Sequence, residues 1–289
     1  MTSTGWRLRI RHHTGFSYAG PVRTSYNEAR ITPLTFPGQT TLDSRVEVLP
    51  AAGIWRYWDY WGAQVTCFDL HDEHEMLEVT GLSVVETSPA PPSPPSPPSP
   101  PAPSWDELLD EGVRQRRVET MVPTPLTPVD ADLAETASTL RGSLDPHLAA
   151  LAVSGWVGEQ VEYVPGSTGV RTSAQEAWVQ RQGVCQDIAH LTVGMLRSLG
   201  IPARYVSGYL HPVPGAEVGE IAVGQSHAWV EWWTGQWYGF DPTNAIPAGE
   251  RHVVVARGRD YDDVPPLKGV YRGAPSTAIG VGVEVERLA

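Results

Sequence analysis

The sequence predicts an α+β fold, and three observations predict it. Residues before position 88 alternate apolar and polar side chains with period two. A proline- and serine-rich run, Ser88 to Ser104, interrupts the chain. After it come helix-capping signals first and strand patterns later. That segregation argues against a doubly wound parallel sheet, in which strands and helices alternate. No G-x-G-x-x-G or Walker sequence and no internal repeat is present.

The first segment carries Leu8–Arg11, Tyr26–Ile31, Arg45–Val48, Trp55–Trp58, Val65–Phe68 and Leu77–Thr80 as short half-buried strands separated by Gly, Pro and Asp. They predict an all-β, sandwich-like domain over residues 1–87. The following run has prolines at 89, 91, 92, 94, 95, 97, 98, 100, 101 and 103. Such a composition favours polyproline II, which packs no core of its own. Residues 88–104 are therefore expected to be a semi-rigid linker spanning on the order of 50 Å at about 3.1 Å per residue.

Residues 105–289 form the second predicted domain. Ser104-Trp105-Asp106-Glu107 reads as a capping box, with two acids suited to a helix N-terminus. A second helix is expected over Ala131–Arg141. Asp145-Pro146 opens a third, with proline at the first helical position. Ser173-x-x-Glu176 caps a fourth that ends near Gly183. The next helix begins at Cys185 and stops at Gly200, ahead of Ile201-Pro202. Strands are expected over Ala203–Tyr209, Ala228–Trp233, Gln236–Phe240, His252–Ala256 and Ile279–Glu286.

Twenty-one basic against thirty-three acidic residues give a net charge of −12, and Lys268 is the only lysine. A nucleic-acid or anionic-membrane surface needs clustered cations, so neither partner is expected. The first residues lack the apolar core of a signal peptide, and no apolar run reaches membrane-spanning length. Two cysteines, Cys67 and Cys185, cannot make a disulfide framework. A reducing cytoplasm is the expected location, where a reactive thiol stays usable.

Chemistry concentrates in three blocks. Cys185 lies in Gly183-Val184-Cys185-Gln186-Asp187-Ile188-Ala189-His190, His227 in Ser226-His227-Ala228-Trp229-Val230-Glu231, and Asp241 in Phe240-Asp241-Pro242-Thr243. A cysteine at a helix start, a strand histidine and a strand-end aspartate suit thiol acyl transfer. Fourteen residues separate His227 from Asp241, which fits a hairpin with both on adjacent strands. A helix N-terminus and a nearby imidazolium both favour a thiolate. The unpaired amide of Cys185 can donate to an oxyanion. Asp241 is expected to accept a hydrogen bond from His227 Nδ1–H, leaving Nε2 to face the sulfur.

These blocks, with Leu199-Gly200-Ile201-Pro202-Ala203-Arg204-Tyr205 between them, resemble the core of the transglutaminase-like superfamily. Tyr60-Trp61-Gly62 and Phe68-x-Leu70 resemble the N-terminal region of the bacterial transglutaminase-like proteins, and the tail Gly258-Arg259-Asp260-Tyr261-Asp262-Asp263-Val264-Pro265-Pro266 also resembles that group. The resemblance implies a papain-like core of helices on an antiparallel sheet. It implies Cys185 as nucleophile, His227 as general base and acid, and Asp241 as the orienting group. It further implies attack on amide groups of a peptide or protein through a thioester, resolved by an amine or by water. A cysteine peptidase or amidase with the same triad and an idle binding scaffold are the competing readings. No cofactor or metal is implied.

Other polar groups have plainer readings. Asp187 suits the helix N-terminus, and His190 points to another side of the helix from the thiol. Cys67, His71 and His74 read as a core cysteine followed by a polar loop, and Asp260, Asp262 and Asp263 as solvated acids, since neither set has metal-ligand spacing. Alternation sends Trp229 and Trp233 to one strand face and Trp232 to the other. Tyr163 and Trp156 are the aromatic candidates for a side-chain oxyanion donor, with no choice between them.

Overall fold

Most helices of the second half begin where a side chain satisfies their first free amides. The computed structural model describes residues 5–89 and 103–289. Ser104 and Glu107 form a capping box at the start of α1 (Trp105–Leu109), which α2 (Glu111–Arg117) follows. Asp130 caps α3 (Ala131–Arg141), and Asp145 caps α4 (Pro146–Gln160), whose first residue is the expected proline. Ser173 and Glu176 repeat the capping box at α5 (Ala174–Gln180). The last and most buried helix is α6 (Cys185–Ser198).

The N-terminal strands are β1 (Trp6–Ala29), β2 (Gln39–Leu49), β3 (Ile54–Trp58), β4 (Gln64–Leu70) and β5 (His74–Thr87). Two-residue strands β6 (Glu162–Tyr163) and β7 (Gln182–Gly183) flank α5 and pair in parallel. Beyond α6 come β8 (Ala203–Leu210), β9 (Ile221–Gly224), β10 (His227–Trp233), β11 (Trp237–Asp241), β12 (Ile246–Pro247), β13 (His252–Gly258), β14 (Leu267–Gly273) and β15 (Ser276–Arg287).

Two of the expected N-terminal strands, Leu8–Arg11 and Tyr26–Ile31, are the two ends of one 24-residue strand. Its first part pairs with β5 on one edge and β15 on the other; its second part pairs with β4 and β14. The eight-stranded sheet built on β1 thus mixes strands from both sides of the proline-rich run. The polyproline expectation for residues 88–104 falls mainly on residues 90–102, outside the described residues.

The second sheet runs β12-β11-β10-β8-β13, all antiparallel. α6 lies against β8 and β10 and is surrounded by α3, α4 and α5. Its apolar residues Ile188, Leu191, Met195 and Leu196 are fully buried, as expected of a helix enclosed on all sides. Trp232 faces this helical side and donates from Nε1 to His147 Nδ1 at 3.2 Å. Trp229 is buried on the opposite face, among Leu34, Val206 and Val254. On that face too, Glu231 is buried between Arg204 and Arg257. The sheet is therefore covered on both faces, and the tryptophans flagged by alternation are mostly core.

Arg197 anchors the far end of α6 by donation alone. Its guanidinium gives hydrogen bonds to the carbonyls of Thr120, Val122, Ala203 and Arg259 and to Thr127 Oγ1. A rigid fork of donors can meet that many acceptors at once, where a lysine cannot.

Candidate active site

The loop before α6 is shaped by Asp187, three residues into the block that opens the helix. Its Oδ2 accepts from the Val184 amide at 2.8 Å and from Thr168 Oγ1. Val184 itself offers no side-chain cap, so Asp187 reaches back to do that work. A Cβ on Gly183 would lie 2.7 Å from the Asp187 Cβ, so only glycine leaves room for this fold-back. Burial pushes the Asp187 carboxyl up, and its hydrogen bonds only partly counter this. Cys185 then stands as the first helical residue, with no preceding turn to take its amide proton.

His227 opens β10, the central strand of the sheet, opposite Gly208 of the neighbouring β8. The hairpin from β10 to β11 brings Asp241 to it: His227 Nε2–H donates to Asp241 Oδ2 at 2.7 Å. The expected use of the ring nitrogens is therefore reversed. Val230 pairs with Phe240, which puts Asp241 diagonal to His227 rather than directly across. The far nitrogen, Nε2, spans that diagonal, and Nδ1 is left over for the thiol, which lines the same cavity as the ring.

Asp241 is fully buried and holds more than one partner. Oδ1 accepts from the amides of Thr243 and Asn244 at 3.0 and 3.1 Å. Oδ2 accepts also from Asn244 Nδ2 at 2.7 Å and from His252 Nε2 at 3.3 Å. His252 takes the Gly249 amide proton on Nδ1, which fixes its own proton on Nε2. Neither Asn244 nor His252 was singled out from the sequence. The signal available was a lone histidine heading the apolar strand His252-Val253-Val254-Val255.

These contacts set the charges. Burial opposes ionisation of Asp241, but the hydrogen bonds from His227 and His252 prevail and hold it well below the usual carboxylate range. Burial likewise opposes a charged His227. The hydrogen bonds to Asp241 and Cys185 outweigh it, and the imidazole is raised to about 10. His252 is driven the other way, chiefly by burial, and stays neutral.

The linkage is testable. A histidine at about 10 when folded and near 6.5 when unfolded stabilises the fold fully below pH 6.5. That contribution declines as pH rises and is gone above about pH 10. The depressed Asp241 sets the acid side: its contribution is present above its unfolded value and fails as pH falls below it. The urea midpoint of the wild type should exceed that of His227→Ala most between about pH 4 and 6.5, and the gap should close towards pH 10. A gap constant across that range would contradict the assigned ionisation.

His227, Asp241 and His252 also bring one potential metal-ligating atom each within 4.8 Å of one another. Their lone pairs and protons are committed to the hydrogen bonds just described, so the trio is complete as a hydrogen-bonded relay. The other polar groups have structural partners. His190 is buried and accepts from the Tyr261 amide at 3.1 Å. His74 bonds the Asp72 carbonyl, and His71 packs edge-on against Tyr26. Asp263 pairs with Arg259, and Asp260 caps the turn that follows it.

A cavity of about 360 Å³ opens at Cys185 and His227. His12, Thr14 and Phe16 of β1 and Val281 of β15 form part of its wall, so the sheet built on β1 borders the thiol directly. Tyr163 lines the same cavity. It is held there by the parallel ladder that pairs it with Gly183, two residues before Cys185. Burial, and then proximity to Cys185, push the Tyr163 phenol up. Trp156 instead packs against Trp178, at 5.2 Å between ring centres.

Comparisons with known proteins agree with this architecture. Residues 134–242 match the family description "Transglutaminase-like superfamily", and residues 8–86 match "Bacterial transglutaminase-like N-terminal region". The protein ML0607 of Mycobacterium leprae is 46% identical over 284 residues, which cover 98% of this chain and 100% of that protein. A protein-glutamine gamma-glutamyltransferase of Pseudomonas aeruginosa is 32% identical over 122 residues, 38% of this chain and 18% of that enzyme. The crystal structure of a candidate cysteine protease from Cytophaga hutchinsonii has the same fold, with a TM-score of 0.76 at 22% identity over 100% of this chain and 93% of that one. No helix among the described residues is long and apolar enough to cross a membrane. The chain belongs to the transglutaminase-like superfamily, and the bacterial transglutaminase-like N-terminal region precedes its core.

Proposed function

We propose that this protein is a thiol acyltransferase acting on amide groups of peptides or proteins, with Cys185 as nucleophile, His227 as general base and acid, and Asp241 as the group that orients His227. The observation that carries this reading is the 2.7 Å hydrogen bond from His227 to the buried Asp241, at a cavity that both His227 and Cys185 line. The sulfur attacks the amide carbonyl. The carbon–nitrogen bond then breaks, and His227 protonates the leaving amine. An amine or water next attacks the thioester, the carbon–sulfur bond breaks, and His227 receives the proton.

The oxyanion would form between the Cys185 amide and the Tyr163 hydroxyl. Of the two aromatic candidates, Tyr163 is favoured because it lines the cavity beside the thiol while Trp156 is packed against Trp178. A reducing compartment, such as the cytoplasm, suits an enzyme whose two cysteines are both free.

Incubation with a broad peptide library and an amine probe, followed by mass spectrometry, tests the proposal. Amine incorporation, deamidation or cleavage that Cys185→Ala abolishes is the expected result. No Cys185-dependent product from the library would favour a non-catalytic scaffold.

A further inference from the structure

Another cavity, of about 590 Å³, lies over the face of the five-stranded sheet that turns away from α6. That volume is in the range of small-molecule sites. No described residue lines both this cavity and the one at Cys185. Two arginines stand on its wall, Arg204 of β8 and Arg257 of β13, with Glu231 of β10 between them. Arg204 Nε donates to Glu231 Oε2 at 2.7 Å, and Arg257 Nε donates to Oε2 at 3.0 Å and to Oε1 at 3.1 Å. Glu231 is buried, and it is the one carboxylate among the described lining residues. Two cations against one anion leave the wall a net positive charge.

Both guanidiniums are held in place. Arg257 lies over the ring of Phe36 at 4.2 Å and Arg204 over that of Trp237 at 3.8 Å, and both rings line the cavity. Stacking fixes each plane, and the Nε bond fixes how the group is turned within it. Both side chains keep some solvent contact. No hydrogen bond among the described residues uses either Nη of Arg257 or Nη1 of Arg204. A guanidinium whose Nη pair is unspent is shaped to take a carboxylate with two parallel hydrogen bonds. The floor adds Trp229, a fully buried indole whose N–H has no hydrogen-bond partner. The wall thus has donors to spare, while the oxygens of Glu231 are already taken.

We infer that this cavity binds an organic monocarboxylate, with the carboxylate on Arg257 and Arg204 and the apolar body among Phe36, Trp237 and Val254. A single negative charge matches the net charge of the wall, whereas a phosphate dianion would also meet Glu231 with a second charge. The site lies on the sheet that carries His227 and Asp241. His252 lines it, and His252 Nε2–H reaches Asp241 Oδ2 at 3.3 Å, so a bound molecule lies one side chain away from that buried carboxylate. The inference does not rest on the acyl-transfer reading: Cys185→Ala should bind the same ligands as the wild type.

Calorimetric titration of benzoate, N-acetylphenylalanine, benzamide and phenyl phosphate into the wild type and Cys185→Ala tests this, with NMR of the isotope-labelled protein alongside. A carboxylate should bind both proteins equally and shift the indole N–H of Trp237, a signal assigned through Trp237→Phe. Benzamide, the neutral analogue of benzoate, should bind about ten-fold more weakly or worse, as expected when charge-assisted hydrogen bonds are lost. Arg257→Lys keeps a charge beside Glu231 but not the fork, and should weaken benzoate by a similar factor. Should that variant not fold, the contrast between benzoate and benzamide at the Trp237 signal of the wild type decides. Tighter binding of N-acetylphenylalanine than of benzoate would identify the ligand as a peptide's C-terminal carboxylate, and the reverse as a small free acid; either upholds the inference. No binding by either carboxylate overturns it, as does equal binding of benzamide or tighter binding of phenyl phosphate. Binding that leaves Trp237 unshifted, that disappears in Cys185→Ala, or that a folded Arg257→Lys retains in full overturns it too.

Discussion

Asp241→Asn should lower kcat by on the order of 10³–10⁴-fold while leaving Cys185 in place. The reason lies in how the carboxylate is used. Both oxygens accept, Oδ1 from two amides and Oδ2 from His227, His252 and Asn244. A carboxamide has one acceptor oxygen and one NH₂, so whichever way it turns, its NH₂ faces a donor. His227 would also lose its counter-charge while keeping its burial, and burial alone disfavours imidazolium. The proton that should wait on the ring for the leaving amine would then be lost. Two measurements check this: kcat on a substrate from the peptide library, and the second-order rate of Cys185 alkylation by iodoacetamide near neutral pH. A variant within about ten-fold of wild type on both would remove Asp241 from the orienting role.

Gly208→Ala should destabilise the fold by about 3 kcal/mol or more. A Cβ at this position would sit 2.0 Å from the Val253 carbonyl oxygen and 2.6 Å from the ring of Trp229. Neither neighbour can yield cheaply: one is backbone of the adjacent strand β13, and the other is a fully buried indole. β8 would have to part from β13. Because Gly208 pairs with His227 across the sheet, that shift reaches the imidazole. A displacement of about 1 Å there can cost on the order of 100-fold in rate. Urea unfolding and kcat on the folded fraction should fall together. Full stability in Gly208→Ala would mean that the two strands have more slack than their packing implies.

The candidate site was legible in the sequence to the extent that local pattern encodes it. Cys185 at a capped helix start, His227 in a strand and Asp241 at a strand end are each marked by immediate neighbours, and the hairpin between the last two follows from their separation. What local pattern does not encode is the geometry between strands. The ring nitrogen that meets Asp241 depends on a diagonal register. His252 reaches the carboxylate from β13, which joins the sheet on its far side, beyond β8. The length of β1 was hidden for a similar reason: the segment Phe16–Val22 breaks the period-two pattern, and pairing with β15 and β14 carries the strand through it. The helices α3, α4 and α5 were easier, because a cap and its helix lie within four residues of each other.

β1 and β15 stand side by side in the wall of the cavity, with Phe16 opposite Ala278 and His12 opposite Val283. On a ribosome β1 is made before the Cys185 helix and the His227–Asp241 hairpin, and β15 after them. A nascent chain could thus hold its thiol, imidazole and carboxylate before it owns a finished chamber around them. Competence for selective chemistry would arrive only with the strand over Ser276–Arg287, so that a chain stalled or clipped before that strand would carry the reactive groups without the wall that restricts what reaches them.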